Sequence, residues 1–272
     1  MLDALFLATF KNKGTGKMEN AAYIALSRQG ALRREMDVIA NNIANMNTTA
    51  FKSESMMFVQ HLVKSKSSQG LAPQKMAYVR DVAQYQNLNE GPIKQTGNSL
   101  DVALHGQGFF VVDTPDGELY TRNGRFNLNP EGQLVNQQNL PVLSDAGTPF
   151  FFSPDDKNIS IGSDGTISTN NGDIGKLKIV KFDDPQTLQK RPGGLLFTEK
   201  RPTGDGNGGE SGAQIVEKPT IMQGALEGSN VEPISEISKM IQVQRAYDGV
   251  KSFVNKEDER QRKMIQQLTP RI

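Results

Sequence analysis

Two apolar seams, one near each end of the chain, constrain the fold more than anything between them. Ala22, Ala25, Leu32, Met36, Ile39, Ile43 and Met46 recur at steps of three and four, with Gln29 as the only polar member. That spacing is a coiled-coil stripe. Met240, Val243, Tyr247, Val250 and Val254 repeat it near the other end, continued by Met264 and Leu268 and widened by Ile237 and Ile241. The first segment predicts about 28 helical residues, roughly 42 Å at ~1.5 Å per residue. Ser229-Asn-Val-Glu-Pro233 offers the second a capping side chain and a proline for its first turn, and Thr269-Pro270 ends it. A narrow stripe cannot be buried by one isolated helix, so each helix needs a partner. Packing of both on a β domain is the alternative outlet for the same stripes.

Between the seams the period drops to two. Phe109-Phe-Val-Val-Asp113 passes through Thr-Pro-Asp-Gly117 into Glu118-Leu-Tyr-Thr-Arg122, and turn signals return at Asn123-Gly124 and Asn129-Pro-Glu-Gly132. Short runs follow at Ile159 to Ile161, Thr166 to Ser168 and Leu177 to Phe182. This is antiparallel β chemistry. The expected architecture is therefore α+β: a discontinuous terminal helical domain at 18–62 and 229–272, forming a coiled-coil-like layer, and a β-rich domain at 97–228. Residues 1–17 read as an extension, 63–96 as a linker or extended segment, and the glycine-rich 203–212 as a mobile loop. Gly124 is expected at a positive-φ turn position.

Chemistry is sparsely represented. Lys plus Arg is 31 against 30 for Asp plus Glu, so no global positive field draws nucleic acid. Cysteine is absent and His61 and His105 are the only histidines, which removes thiolate catalysis and sulfur-ligated metals and leaves little for zinc. The apolar start Met1-Leu-Asp-Ala-Leu-Phe-Leu-Ala is too short to span a bilayer and lacks a basic leader. Gly106-Gln-Gly108 lacks the third glycine and the following helix of a dinucleotide loop. Twelve positions into a calcium-like start at Asp205 stands Val216 instead of a glutamate. Asp155-Asp156 and Asp183-Asp184 sit beside prolines as turn acids. No catalytic, cofactor or metal residue is expected.

Contact surfaces remain. Asn41, Asn42, Asn45 and Asn47 crowd seven residues beside the first seam, a composition that favours specific hydrogen bonds over helix propagation. The candidate subunit-interface residues are Leu32, Met36, Ile39, Asn42, Ile43, Asn45 and Met46 from the first segment. Ile237, Met240, Val243, Tyr247, Val250 and Val254 complete the set from the second. An enzyme or carbohydrate-binding β module on a helical stalk is the competing class.

Three segments then resemble a known family. Ala40-Asn-Asn-Ile-Ala-Asn-Met-Asn-Thr-Thr-Ala-Phe-Lys52 is similar to the N-terminal signature of the flagellar basal-body rod, hook and hook-associated family. The segment from Gly91-Pro-Ile-Lys to Gly-Phe-Phe-Val-Val112 resembles its entry into the β domain. Gly224-Ala-Leu-Glu-Gly-Ser-Asn-Val231 and Met240-Ile-Gln-Val-Gln-Arg-Ala-Tyr247 resemble its C-terminal signature. The resemblance runs from about Met18 to Leu268, and a single modest β domain makes it a rod rather than a hook resemblance, nearer the proximal than the distal rod. Two features depart from it: the 17-residue extension, and Asn47-Thr-Thr49 without the usual glycine before Phe-Lys. The resemblance implies a structural subunit exported by the flagellar type III apparatus without a cleaved signal peptide. It also implies polymerisation in the periplasm with itself and other rod proteins, with no cofactor, no nucleic acid and no membrane insertion. Heterologous contacts repeated along a screw axis generate such a helical assembly.

Overall fold

The computed structural model describes residues 15–65, 74–156, 158–198 and 212–268. Helix α1 (Thr15–Ala44) and helix α2 (Pro233–Leu268) belong to one compact unit, together with strands β1 (Glu54–Ser65) and β2 (Gln74–Gln86), which pair as a two-stranded sheet. A second unit holds residues 45–53 and 86–231. Most of the 1–17 extension and of the 203–212 loop lies outside the described residues.

α1 and α2 pack against each other. They run antiparallel, because Asn42 meets Glu236 while Glu35, two turns earlier on α1, feels Lys239, one turn later on α2. The helical reading to residue 62 is corrected: α1 ends at Ala44, where asparagines and threonines turn the chain, and residues 54–65 are strand. Met56, Phe58 and Val59, Leu62 and Val63 supply apolar and β-branched character there, which outweighs the weak helical signal. The segment expected at 63–96 as a linker or extended chain contains β2 and the short strand β3 (Ile93–Gln95). α2 starts at Pro233 as expected, with Glu236 in its first turn. Ser229 and Asn230 do not cap it: the Ser229 hydroxyl accepts from Val231 N, ahead of the helix, and the Asn230 side chain is committed to Ser53 N and to the carbonyls of Asn87 and Asn89.

The second unit is built on β4 (Val102–His105), β5 (Phe109–Thr114), β6 (Gly117–Thr121), β7 (Asn127–Leu128) and β8 (Leu134–Val135). The chain continues through β9 (Ser160–Ile161), β10 (Thr166–Thr169), β11 (Gly172–Lys176) and β12 (Ile179–Phe182). It closes with β13 (Gln189–Arg191), β14 (Leu195–Phe197), β15 (Ala213–Ile215), β16 (Thr220–Gln223) and β17 (Ala225–Glu227). The main sheet has the order β13-β14-β6-β5-β12-β15, and every pairing in it is antiparallel. Both of its faces are covered. Phe110, Val112, Leu119, Ile179 and Leu195 join the larger core with Phe126, Leu134 and Ile167. Phe109, Val111, Tyr120, Val180, Phe182 and Leu196 alternate with them and form a second core. Burial on two faces explains why Phe109 to Val112 is an unbroken apolar run instead of an alternating one. The smaller sheets include β9-β10-β11, β16-β4 and β17-β3.

Gly124 differs from expectation in its reason. Its φ is not positive; instead a Cβ there would stand 1.8 Å from the Val102 carbonyl oxygen and 3.2 Å from the Phe110 ring. Close approach of two backbones, cemented by the Val102 N–H donating to the Gly124 carbonyl at 2.9 Å, requires glycine.

Candidate assembly surface and ion-pair junction

In the helical unit the predicted stripe is only partly closed. Ile39 and Val243 are buried, while Leu32, Met36, Ile43, Asn45, Met240, Tyr247, Val250 and Val254 are half-buried. Met46 and Ile237 are exposed. From Tyr23 onward the buried positions on α1 are Ala25, Ala31, Val38, Ile39 and Asn42, so the inward line there is rotated slightly from the one read off the sequence. A second line stays open: Ile234 is 83% exposed, and Ile237, Ile241 and Phe253 are each close to half exposed. Ile234, Ile237 and Ile241 share one face by their i, i+3, i+7 spacing.

Asn42 is the polar centre of this unit. At 1% exposure it donates to the Glu54 carbonyl at 2.8 Å and to Glu236 Oε2 at 3.0 Å, and its own Oδ1 accepts from Glu54 N at 2.9 Å. One amide thereby ties the end of α1, the start of β1 and the first turn of α2. The sequence reading assigned this residue to a subunit contact; all three of its hydrogen bonds are internal. Burial raises the Glu35 carboxyl above its usual range, with Lys239 opposing.

The second unit carries a buried charge cluster that sequence reasoning missed. Glu227, on β17, is 2% exposed; its Oε1 accepts from Lys52 Nζ at 2.5 Å and from Gly91 N at 3.0 Å. Arg122 Nε lies 3.0 Å from Glu227 Oε2, an ion pair too far out of line for a hydrogen bond, so that oxygen accepts none. Lys52 also donates to the Asn89 carbonyl at 2.7 Å, and Arg122 Nη1 to the Gly108 carbonyl at 2.8 Å. Glu90 extends the cluster, with Arg122 Nη2 at 3.8 Å, His105 Nδ1 at 2.9 Å and a bond from Gly106 N. Burial lowers the Lys52 amine from its usual value, and Glu227 counteracts that shift.

This cluster joins the chain where it enters and leaves the β unit. Around it the Ala50 N–H donates to the Glu227 carbonyl at 2.8 Å and Asn230 N–H to the Phe51 carbonyl at 3.2 Å. Gly91 faces Gly228 so closely that a Cβ on Gly91 would lie 2.1 Å from the Gly228 oxygen. The available signals were Lys52 and Glu227 themselves, charges set among apolar neighbours in the family-like segments, where a buried charge demands a partner. Spacing alone does not reveal that partners lie 175 residues apart. Among the described residues no group of three or more acidic or histidine side chains could hold a metal ion, and no described helix is long and apolar enough to cross a membrane.

Charged groups here fasten chain segments, and the helical pair joins residues 194 positions apart, so the described contacts hold distant parts of the chain together. The chain belongs to the flagellar basal-body rod protein family. Residues 23–52 match the family model described as flagella basal body rod protein. Residues 103–169 match the D1 domain of flagellar hook protein FlgE/F/G, and residues 222–267 the C-terminal part of flagellar basal body rod FlgEFG protein. It is 40% identical to the flagellar basal-body rod protein FlgF of Caulobacter vibrioides, over 92% of this chain and 98% of that one. With the FlgF of Salmonella typhimurium the identity is 31% over 93% and 99%. A FlgG of Agrobacterium fabrum is 32% identical over 88% and 95%. These relations favour FlgF among rod subunits. The α+β architecture, with helices near both ends and an antiparallel β region between, stands as expected.

Proposed function

We propose that this chain is a proximal-rod subunit, polymerising with itself and other axial proteins into the shaft that carries torque from motor to hook. The carrying observation is the open line Ile234, Ile237 and Ile241 on a helix whose other face already packs on α1. Contiguous exposed apolar surface marks an interaction site. In this reading the terminal helices form a coiled-coil-like layer with neighbours. Leu32, Met36, Tyr247, Val250 and Val254 extend the contact, and assembly completes burial that the monomer leaves half done. Export without a cleaved signal peptide and assembly in the periplasm belong to the same proposal.

Ordering of half-buried helices on binding consumes part of the association energy, which keeps the free subunit soluble. Amide exchange tests that point: α1 and α2 in the isolated chain should exchange much faster than β5, β6 and β12, and equal protection would refute it. Cross-linking mass spectrometry on purified basal bodies tests the placement. Links from α1 and α2 to other axial proteins are expected, and absence of the chain from intact basal bodies would overturn the reading.

A further inference from the structure

The charge cluster of the β unit opens onto a cavity of about 250 Å³, lined by Lys52, Arg122, Lys181, Leu88, Phe109 and Phe182, with Gln107 and Pro185 among the other lining residues. Two of its cations are buried and have donors to spare. An ammonium has three N–H groups and a guanidinium five. Lys52 uses two, on Glu227 and Asn89; Arg122 uses one in a hydrogen bond to Gly108, and its Nε and Nη2 make ion contacts only. The Lys181 side chain, exposed on the same lining, makes no ion pair or hydrogen bond with the described residues. Glu90 borders the cavity, but its two oxygens already face Gly106 N and His105. Lys52, Arg122 and Lys181 against Glu90 and Glu227 leave one net positive charge, and the remaining lining is largely apolar.

Spare donors on buried cations, a positive balance and aromatic walls fit a carboxylate carried on an apolar stem. We infer that this cavity receives an aspartate or glutamate side chain, flanked by an apolar residue, from a neighbouring axial subunit. The inference rests on the rod reading above and adds a second contact, on the β unit, separate from the helices. Its salt response follows from the chemistry: the contact weakens as ionic strength rises, whereas apolar helix contacts do not.

Lys181 is the residue to change, because it lies outside the fastening cluster and is exposed. Lys181→Glu should leave the melting curve of the full chain unaltered yet lower its incorporation into basal bodies at least tenfold, and Lys181→Arg should restore it. A photocrosslinking residue at Gln107 should give, in intact basal bodies, a product mapping within three residues of an Asp or Glu of an axial protein. Normal incorporation of Lys181→Glu would overturn the inference while leaving the rod reading intact. So would a Gln107 product mapping to a segment without acidic residues. Absence of the wild-type chain from basal bodies would instead remove the rod reading on which it stands.

Discussion

Glu227→Ala is expected to be the most damaging single truncation in the β unit. It removes the acceptor of Lys52 Nζ and of Gly91 N–H and the counter-charge of Arg122, leaving two cations whose side chains are 4% and 6% exposed. Breaking a buried pair by deleting one partner costs about 3–5 kcal/mol, because the surviving charge stays desolvated. Glu90, 3.8 Å from Arg122, retains part of that arginine's compensation, which places the loss near the lower bound, about 3 kcal/mol. For a unit of this size that corresponds to a fall in Tm of about 6–12 °C. The double variant Lys52→Met, Glu227→Gln removes one cation together with the anion and leaves Arg122 its bond to Gly108. It should recover more than half of the loss, about 1.5–3 kcal/mol. Urea unfolding followed by far-UV circular dichroism suits a chain without tryptophan. A Glu227→Ala chain within 1 kcal/mol of wild type, or a double variant no better than the single one, would refute the argument.

Tyr120→Phe should be neutral or stabilising by up to about 1 kcal/mol in the same assay, since the Tyr120 hydroxyl is buried without a partner. The phenol is pushed up to about 12 by burial, so Tyr120→Phe should remove phenolate absorbance only from the alkaline end of a spectrophotometric titration. Gly124→Ala should cost at least about 2 kcal/mol, the range for forced overpacking, as its Cβ meets a backbone oxygen that cannot move aside; an unchanged urea midpoint would contradict this. Ile237→Asp with Ile241→Asp should abolish motility while the purified chain keeps its wild-type melting curve, and swimming cells with normal rods would refute the assembly face. Asp156 and Asp164 are held below 3.8, Asp156 first by Ser153 N–H and Asp164 first by the Thr166 hydroxyl. Their contribution is therefore complete above the unfolded value and disappears as pH falls through the lower folded values. Asp164→Asn should flatten the loss of stability from about pH 4 downward, and an unchanged acid slope would exclude the residue as a source.

What the residues disclosed depended on how local the cause was. The stripe from Ala25 to Ile43 and the repeat from Met240 to Val254 are local, and both helices follow. β5 and β6 were visible because the Pro115-Asp116-Gly117 turn stands between their apolar runs. β1 was hidden, since its apolar and polar residues do not alternate cleanly and its pairing partner β2 begins only at Gln74. The need for glycine at position 124 was legible, but its cause was not: a turn dihedral is written in neighbours along the chain, whereas the contact with Val102 is written 22 positions away. The cluster of Lys52, Arg122 and Glu227 was invisible for the same reason. The asparagines beside the seam did signal a specific contact, though Asn42 uses its amide within the unit.

The fastening of Ala50 to Glu227 also sets the order in which the chain can fold. Asn42 and Glu236 are separated by 194 residues, and closing so long a loop directly is entropically costly. Once the β unit has formed, Ala50 and Glu227 are already together, and only the eight residues back to Asn42 and the nine on to Glu236 remain to be arranged. Shortening the effective loop about tenfold saves roughly 2 kcal/mol. A chain emerging N-terminus first therefore carries α1 without its mate until Glu227 has arrived, and pairing of the two helices is favoured after the β unit has closed.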